Sequence, residues 1–86
     1  MFGQLKQIKQ AMDIQNSLKN EKVKSERNGV SATMNATFEI EDIKLNPNLS
    51  IAENEKLIKD CLSDANRQLQ MKLMQLAPQL KSKFGL

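Results

Sequence analysis

Histidine, tryptophan and tyrosine are absent from this 86-residue chain, and cysteine occurs once. Without histidine there is no imidazole for a zinc site or an acid–base centre, and a single thiol cannot close an internal disulfide. Cys61 lies in a helical apolar pattern with no imidazole to activate it, so it is expected as a small core residue and not as a nucleophile. The aromatics are three phenylalanines, which removes the side chains that usually fill a small core. A monomer of this size would be marginally stable, and association into a homodimer is the natural remedy. No run of about 18 apolar residues suggests a membrane span, and the opening Met1–Gln10 has no apolar signal core. These absences predict one cytoplasmic domain over residues 1–86.

The clearest pattern that is present runs from Gly29 to Pro47. Val30, Ala32 and Met34 alternate with Ser31, Thr33 and Asn35, and after the break a second run carries Phe38, Ile40, Ile43 and Leu45. Period-two alternation on both sides of a polar break predicts an antiparallel hairpin. Its apolar positions are even through Ile40 and odd from Ile43, which places a bulge at Glu41–Asp42. Lys22–Arg27 is expected as a third, charged edge strand, joined to Val30 through the strong hairpin signal Asn28-Gly29. The turn at Asn35-Ala36 is less favourable, because Ala stands where a tight turn prefers Gly.

Helices flank this sheet. From about Gln4 to Val23, Leu5, Ile8 and Met12 form one apolar row and Ala11, Ile14 and Leu18 another, both at helical spacing. Asn46-Pro47-Asn48 ends the sheet, and Ser50-Ile51-Ala52-Glu53 matches a capping box. The stripe Ile58, Leu62, Ala65, Leu69, Leu73, Leu76 and Leu80 then predicts a long second helix. Pro78 is expected to kink or stop it, leaving Leu80–Leu86 as a short helical tail or a loose end. The fold class is α+β in the order α-β-β-β-α. Three antiparallel strands send the chain out at the end of the sheet opposite to its entry, so the second helix must run back across the sheet. Its turns from about Gln68 project past the sheet beside the first helix, bringing the two chain ends to one tip.

Charge gives that tip a meaning. Residues 1–27 carry net +3, residues 38–64 carry net −4, and residues 65–86 hold Arg67, Lys72, Lys81 and Lys83 with no acid. An electropositive pole opposite an acidic body is the footprint of a polyanion-binding protein, although Lys-rich helix faces are commonly just solvated. Contacts from Lys, Gln and Asn would go to phosphates, giving little sequence preference and steep salt dependence. Without Trp or Tyr to stack on single-stranded bases, double-stranded DNA is the expected partner.

Gly29-Val30, Asn35, Ile43, Leu45-Asn46-Pro47, Leu49, Leu57 and Ser63-Asp64-Ala65 together resemble the YbaB/EbfC family of bacterial nucleoid-associated proteins. That family's pattern runs G-x-V-x-V-x-x-N-G, then V-x-I-D-P-x-L-L, then a helix with L and N-D-A. Met1-Phe2-Gly3 and the Gln/Lys/Met-rich first helix are similar too. The resemblance implies a homodimer whose tweezer-like helical arms bind DNA with loose sequence preference, located in the cytoplasm on the nucleoid. Asn46 departs from the family Asp, Ala36 from the turn Gly, the first turn has shrunk to Asn28-Gly29, and the segment between Leu49 and Leu57 is about three residues short.

The candidate DNA contacts are Lys6, Lys9, Lys19, Lys22, Arg67, Lys72, Lys81 and Lys83. No enzyme is expected: there is no phosphate-cradling Gly loop, and Glu39, Glu41, Asp42, Asp60 and Asp64 lack metal-ligand spacing. Neither a cofactor nor a small-molecule substrate is implied. The rival function is a homodimeric helical adaptor that binds a protein partner and not DNA, using the apolar stripe of the second helix with Met12, Met71 and Met74. The acid-free end from Ala65 onward separates the two, since an adaptor has no need of it.

Overall fold

Helix α1 (Phe2–Asn20) leads into strands β1 (Lys22–Arg27), β2 (Val30–Asn35) and β3 (Ile40–Lys44), followed by the long helix α2 (Ile51–Phe84). In this computed structural model the backbone is described for residues 2–84 and the side chains for residues 9–79, 81 and 82. The side chains of Leu5, Lys6, Ile8, Leu80 and Lys83 therefore lie outside the described residues. The α-β-β-β-α order matches the sequence expectation, and the strands form one antiparallel sheet with β2 in the centre.

Asn28 and Gly29 have φ of 51° and 82°, the paired left-handed geometry whose twist suits a two-residue hairpin. The second turn differs from its expected form, because its left-handed residue is neither Asn35 nor Ala36 but Phe38, at φ 63°. The Phe38 amide donates to the Asn35 carbonyl at 2.9 Å, and the Asn35 amide donates to the Glu39 carbonyl at 3.1 Å. Phe38 thus lies in the turn and β3 begins two residues later. The expected bulge is present: Thr33 pairs with Asp42 and Met34 with Ile40, so Glu41 is the extra residue.

α1 is shorter than its apolar period suggests, ending at Asn20 instead of Val23. The Ala36 amide donates to the carbonyls of Leu18 (3.1 Å) and Glu21 (2.9 Å), which satisfies the helix end from another part of the chain. Val23 instead sits in β1 opposite Met34.

Val30, Ala32 and Met34 share one face of β2, and Cys61, Ala65 and Leu69 share one stripe of α2; all six are buried. Small residues on both surfaces let the helix approach closely, and Leu18, Val23, Leu62 and Leu73 close the edges of the cluster. Cys61 is the core residue expected, its thiol donating to the Val30 carbonyl at 3.4 Å. The α2 start follows the capping box: the Glu53 amide donates to Ser50 Oγ at 3.1 Å, and the Ser50 amide to Glu53 Oε1 at 3.4 Å.

Asn54 and Asn46 tie this start to the sheet. Asn54 accepts from the Asn46 amide at 2.8 Å and donates to the carbonyls of Asn46 and Ser50, each at 3.0 Å. The Asn46 side chain donates to the Asn28 carbonyl at 2.7 Å, a bond that an ionised Asp at this position could not make. α2 then crosses the sheet over β2 and β1, as the three-strand arithmetic requires. It does not stop at Pro78, which lies within one continuous helix. Proline lacks the amide that would bond the Met74 carbonyl, and Met74, Pro78 and Gln79 are all exposed, so that carbonyl is not left unpaired in an apolar interior.

Candidate nucleic-acid interface

Two helical segments extend from one end of the sheet. α1 reaches it through Leu18, and α2 passes it at Leu73, both packed against the core cluster. Beyond Leu73 α2 continues for eleven residues to Phe84, about 16 Å at ~1.5 Å per residue. Met1, Gly85 and Leu86 lie outside the described residues, and so does the expected meeting of the chain ends.

The candidate cations divide by what surrounds them. Lys9 and Lys19 on α1 and Arg67 and Lys81 on α2 are exposed. Lys22 holds Glu41 at 2.8 Å and Lys72 holds Glu21 at 3.0 Å. α2 carries no acid from Ala65 onward, so Lys81 has none near it along the helix, whereas Arg67 lies one turn from Asp64, and Glu53, Glu55, Asp60 and Asp64 sit on the earlier turns. The helix is therefore polarised along its length, acidic where it caps the sheet and basic where it leaves.

The acids have structural duties of their own. Glu41, the bulge residue, accepts from Lys22 and from the Asn35 side-chain amide at 2.8 Å, and these bonds hold its carboxyl below the usual glutamate range. Asn35 itself is buried; its Oδ1 accepts from the Thr37 hydroxyl (2.5 Å), the Thr37 amide (3.0 Å) and the Glu39 amide (3.3 Å). Asp64 is also lowered, first by a hydrogen bond from the Ser25 hydroxyl and then by one from Gln68, with Arg27 and Arg67 adding positive charge nearby. Among the described residues no group of His, Cys, Asp and Glu side chains is placed to hold a metal ion, and no helix is long and apolar enough to cross a membrane.

One surface has no counterpart among the sequence candidates. Ile40 and Ile43 lie opposite Met34 and Ala32, on the face that α2 covers over the other two strands. Yet Phe38, Ile40, Ile43, Leu45 and Ile51 are 45%, 51%, 44%, 59% and 79% exposed. The alternating pattern identified the apolar face; the sequence held no signal that the helix would leave β3 uncovered.

The fold is a three-stranded antiparallel sheet between a first helix and a long second helix whose acids all precede Ala65. The family model of the YbaB/EbfC DNA-binding family matches residues 1–84, and the chain belongs to that family. It is a DNA-binding, nucleoid-associated family. No curated protein and no solved structure gives a significant match.

Proposed function

We propose that residues 1–86 form one domain that acts as a homodimer and binds double-stranded DNA with little sequence preference, contributing to nucleoid organisation or gene regulation in the cytoplasm. The observation that carries this is the acid-free stretch of α2 from Ala65, with exposed Arg67 and Lys81, set against the acidic earlier turns of the same helix. Lys9 and Lys19 of α1 supply the second basic surface, and Lys6 and Lys83 extend the two. Contacts of this kind reach phosphates and not base edges, so affinity follows counterion release.

A gel shift with linear duplex across a salt series tests the function. Affinity is expected to drop steeply with salt, and Lys81→Ala with Lys83→Ala to flatten the log–log slope by about one to two units. Binding that ignores salt, or that survives charge reversal at Lys6, Lys9, Lys81 and Lys83 together, overturns it. The adaptor function has its own observation in Met71 and Met74, 60% and 78% exposed. If it holds, the parent gives no salt-dependent shift of the duplex at all.

A further inference from the structure

Where α1, the sheet and α2 meet, Glu21 occupies the single residue between the end of α1 and the start of β1. Its backbone is fixed: the amide donates to the Leu18 carbonyl at 3.2 Å, and the carbonyl accepts from Ala36 at 2.9 Å. Its carboxylate reaches Lys72 Nζ at 3.0 Å, with the two side chains about one-third exposed, at 36% and 34%. Lys72 lies one turn past the fully buried Leu69 and next to Leu73, the last α2 residue packed on the core cluster. The ion pair therefore joins the residue that links α1 to β1 with the part of α2 that packs beside the core cluster.

From this we propose that Glu21 and Lys72 are positioning residues for DNA binding. Their ion pair sets the direction in which the outer part of α2 leaves the sheet relative to α1, and Lys72 does not itself contact phosphate. This rests on the functional proposal above that α1 and α2 both supply basic surfaces for duplex DNA. A backbone already anchored through Leu18 and Ala36 gives the carboxylate a fixed origin. A lysine joined to a buried leucine by one helical turn gives the ammonium another, so the pair acts between two rigid bodies.

The two possible roles of Lys72 differ in sign. If Lys72 were a phosphate ligand shared with Glu21, Glu21→Gln would remove an acid, free the ammonium and tighten binding. A positioning pair gives the opposite result. Glu21→Gln and Lys72→Gln each weaken duplex binding about two- to fivefold, the scale of a partly exposed ion pair. The log–log salt slope stays constant, and the exchange variant Glu21→Lys/Lys72→Glu returns to within about twofold of the parent. Tighter binding by Glu21→Gln overturns the proposal. So does a slope lowered by ~0.9 in Lys72→Gln, or an exchange variant that fails to recover.

A second measurement separates this from the functional proposal. Spin labels at Asp13→Cys and Gln79→Cys, in a Cys61→Ser chain diluted with unlabelled chain, report the separation of the two helices without DNA. A distribution that broadens in Glu21→Gln and narrows again in the exchange variant supports the pair as a joint even if the parent binds no duplex. A distribution unchanged across all three overturns it.

Discussion

At the scale of the residue, Gly29 and Glu41 show how a single position is fixed by neighbours far along the chain. Gly29 has φ 82°, and a Cβ built there would lie 2.9 Å from Asn46 Nδ2. Gly29→Ala therefore combines left-handed strain with displacement of the Asn46 amide from the Asn28 carbonyl. It is expected to lower unfolding free energy by ~1–2 kcal/mol in urea denaturation, whereas Asn28→Gly should be near neutral. Glu41 carries a pH dependence whose sign is set by its partners. Lys22 first, then Asn35, lower its folded pKa below the ordinary 4.5. The ionised form is thus favoured by folding, and its contribution is complete above that value and lost as pH falls through the lower folded one. The thermal midpoint should decline as pH drops below about 4.5, with a shallower decline in Glu41→Gln. Asp64 contributes with the same sign.

At the scale of the element, most of what the chain forms is local enough to be legible in its sequence. The Asn28-Gly29 turn, the Ser50–Glu53 capping box, the bulge at Glu41 and the stripe through Ala65 and Leu69 each depend on residues within a few positions of one another. The features that were not legible depend on partners brought from afar. The end of α1 at Asn20 is held by the Ala36 amide, which bonds the carbonyl of Leu18 and that of Glu21 just past the helix, and nothing between Leu18 and Val23 announces that. The left-handed Phe38 is the local exception: Asn35, three residues earlier, organises the loop around it, an outcome no turn propensity favours for a bulky side chain. At the candidate interface, charge segregation was visible as composition, but the pairing of Lys22 with Glu41 and of Lys72 with Glu21 required the fold. Pro78 is the element-scale case in which propensity was overridden: an interior proline costs ~3 kcal/mol relative to Ala, yet α2 continues past it. Pro78→Ala restores a donor to the Met74 carbonyl. Slower amide exchange over residues 74–82 is the expected outcome, with little change in the midpoint of the core, because Leu73 is the last α2 residue packed against the core cluster. Unchanged or faster exchange there would show that the proline does not limit the outer helix.

At the scale of the whole molecule, the buried apolar residues among those described are Val30, Ala32, Met34, Ala36, Cys61, Ala65 and Leu69, three of them alanine. Beside them lies the uncovered strip from Phe38 to Ile51, with a groove lined by Ile43, Leu45, Ile51, Asn54, Glu55 and Ile58. A small core next to a contiguous exposed apolar strip supports the proposed homodimer, with this strip as the surface that a second copy covers. Light scattering at micromolar concentration should give twice the chain mass for the parent and the single mass for Ile43→Glu. A monomeric parent would remove the dimer, and a dimeric Ile43→Glu would move the interface elsewhere.

The chain measures 57 × 22 × 13 Å, and its shortest dimension is little more than the ~10 Å separating two packed layers. No third layer shields either surface, so protection from solvent is unevenly shared. β2, bonded on both edges and buried at five of its six positions, forms a narrow permanent centre with the turns of α2 from Cys61 to Leu69. The turns of α2 beyond Leu73, which pack on none of this centre among the described residues, can fray without the centre melting. Such a molecule tolerates being bent at its ends by whatever it holds while its middle keeps the chain folded.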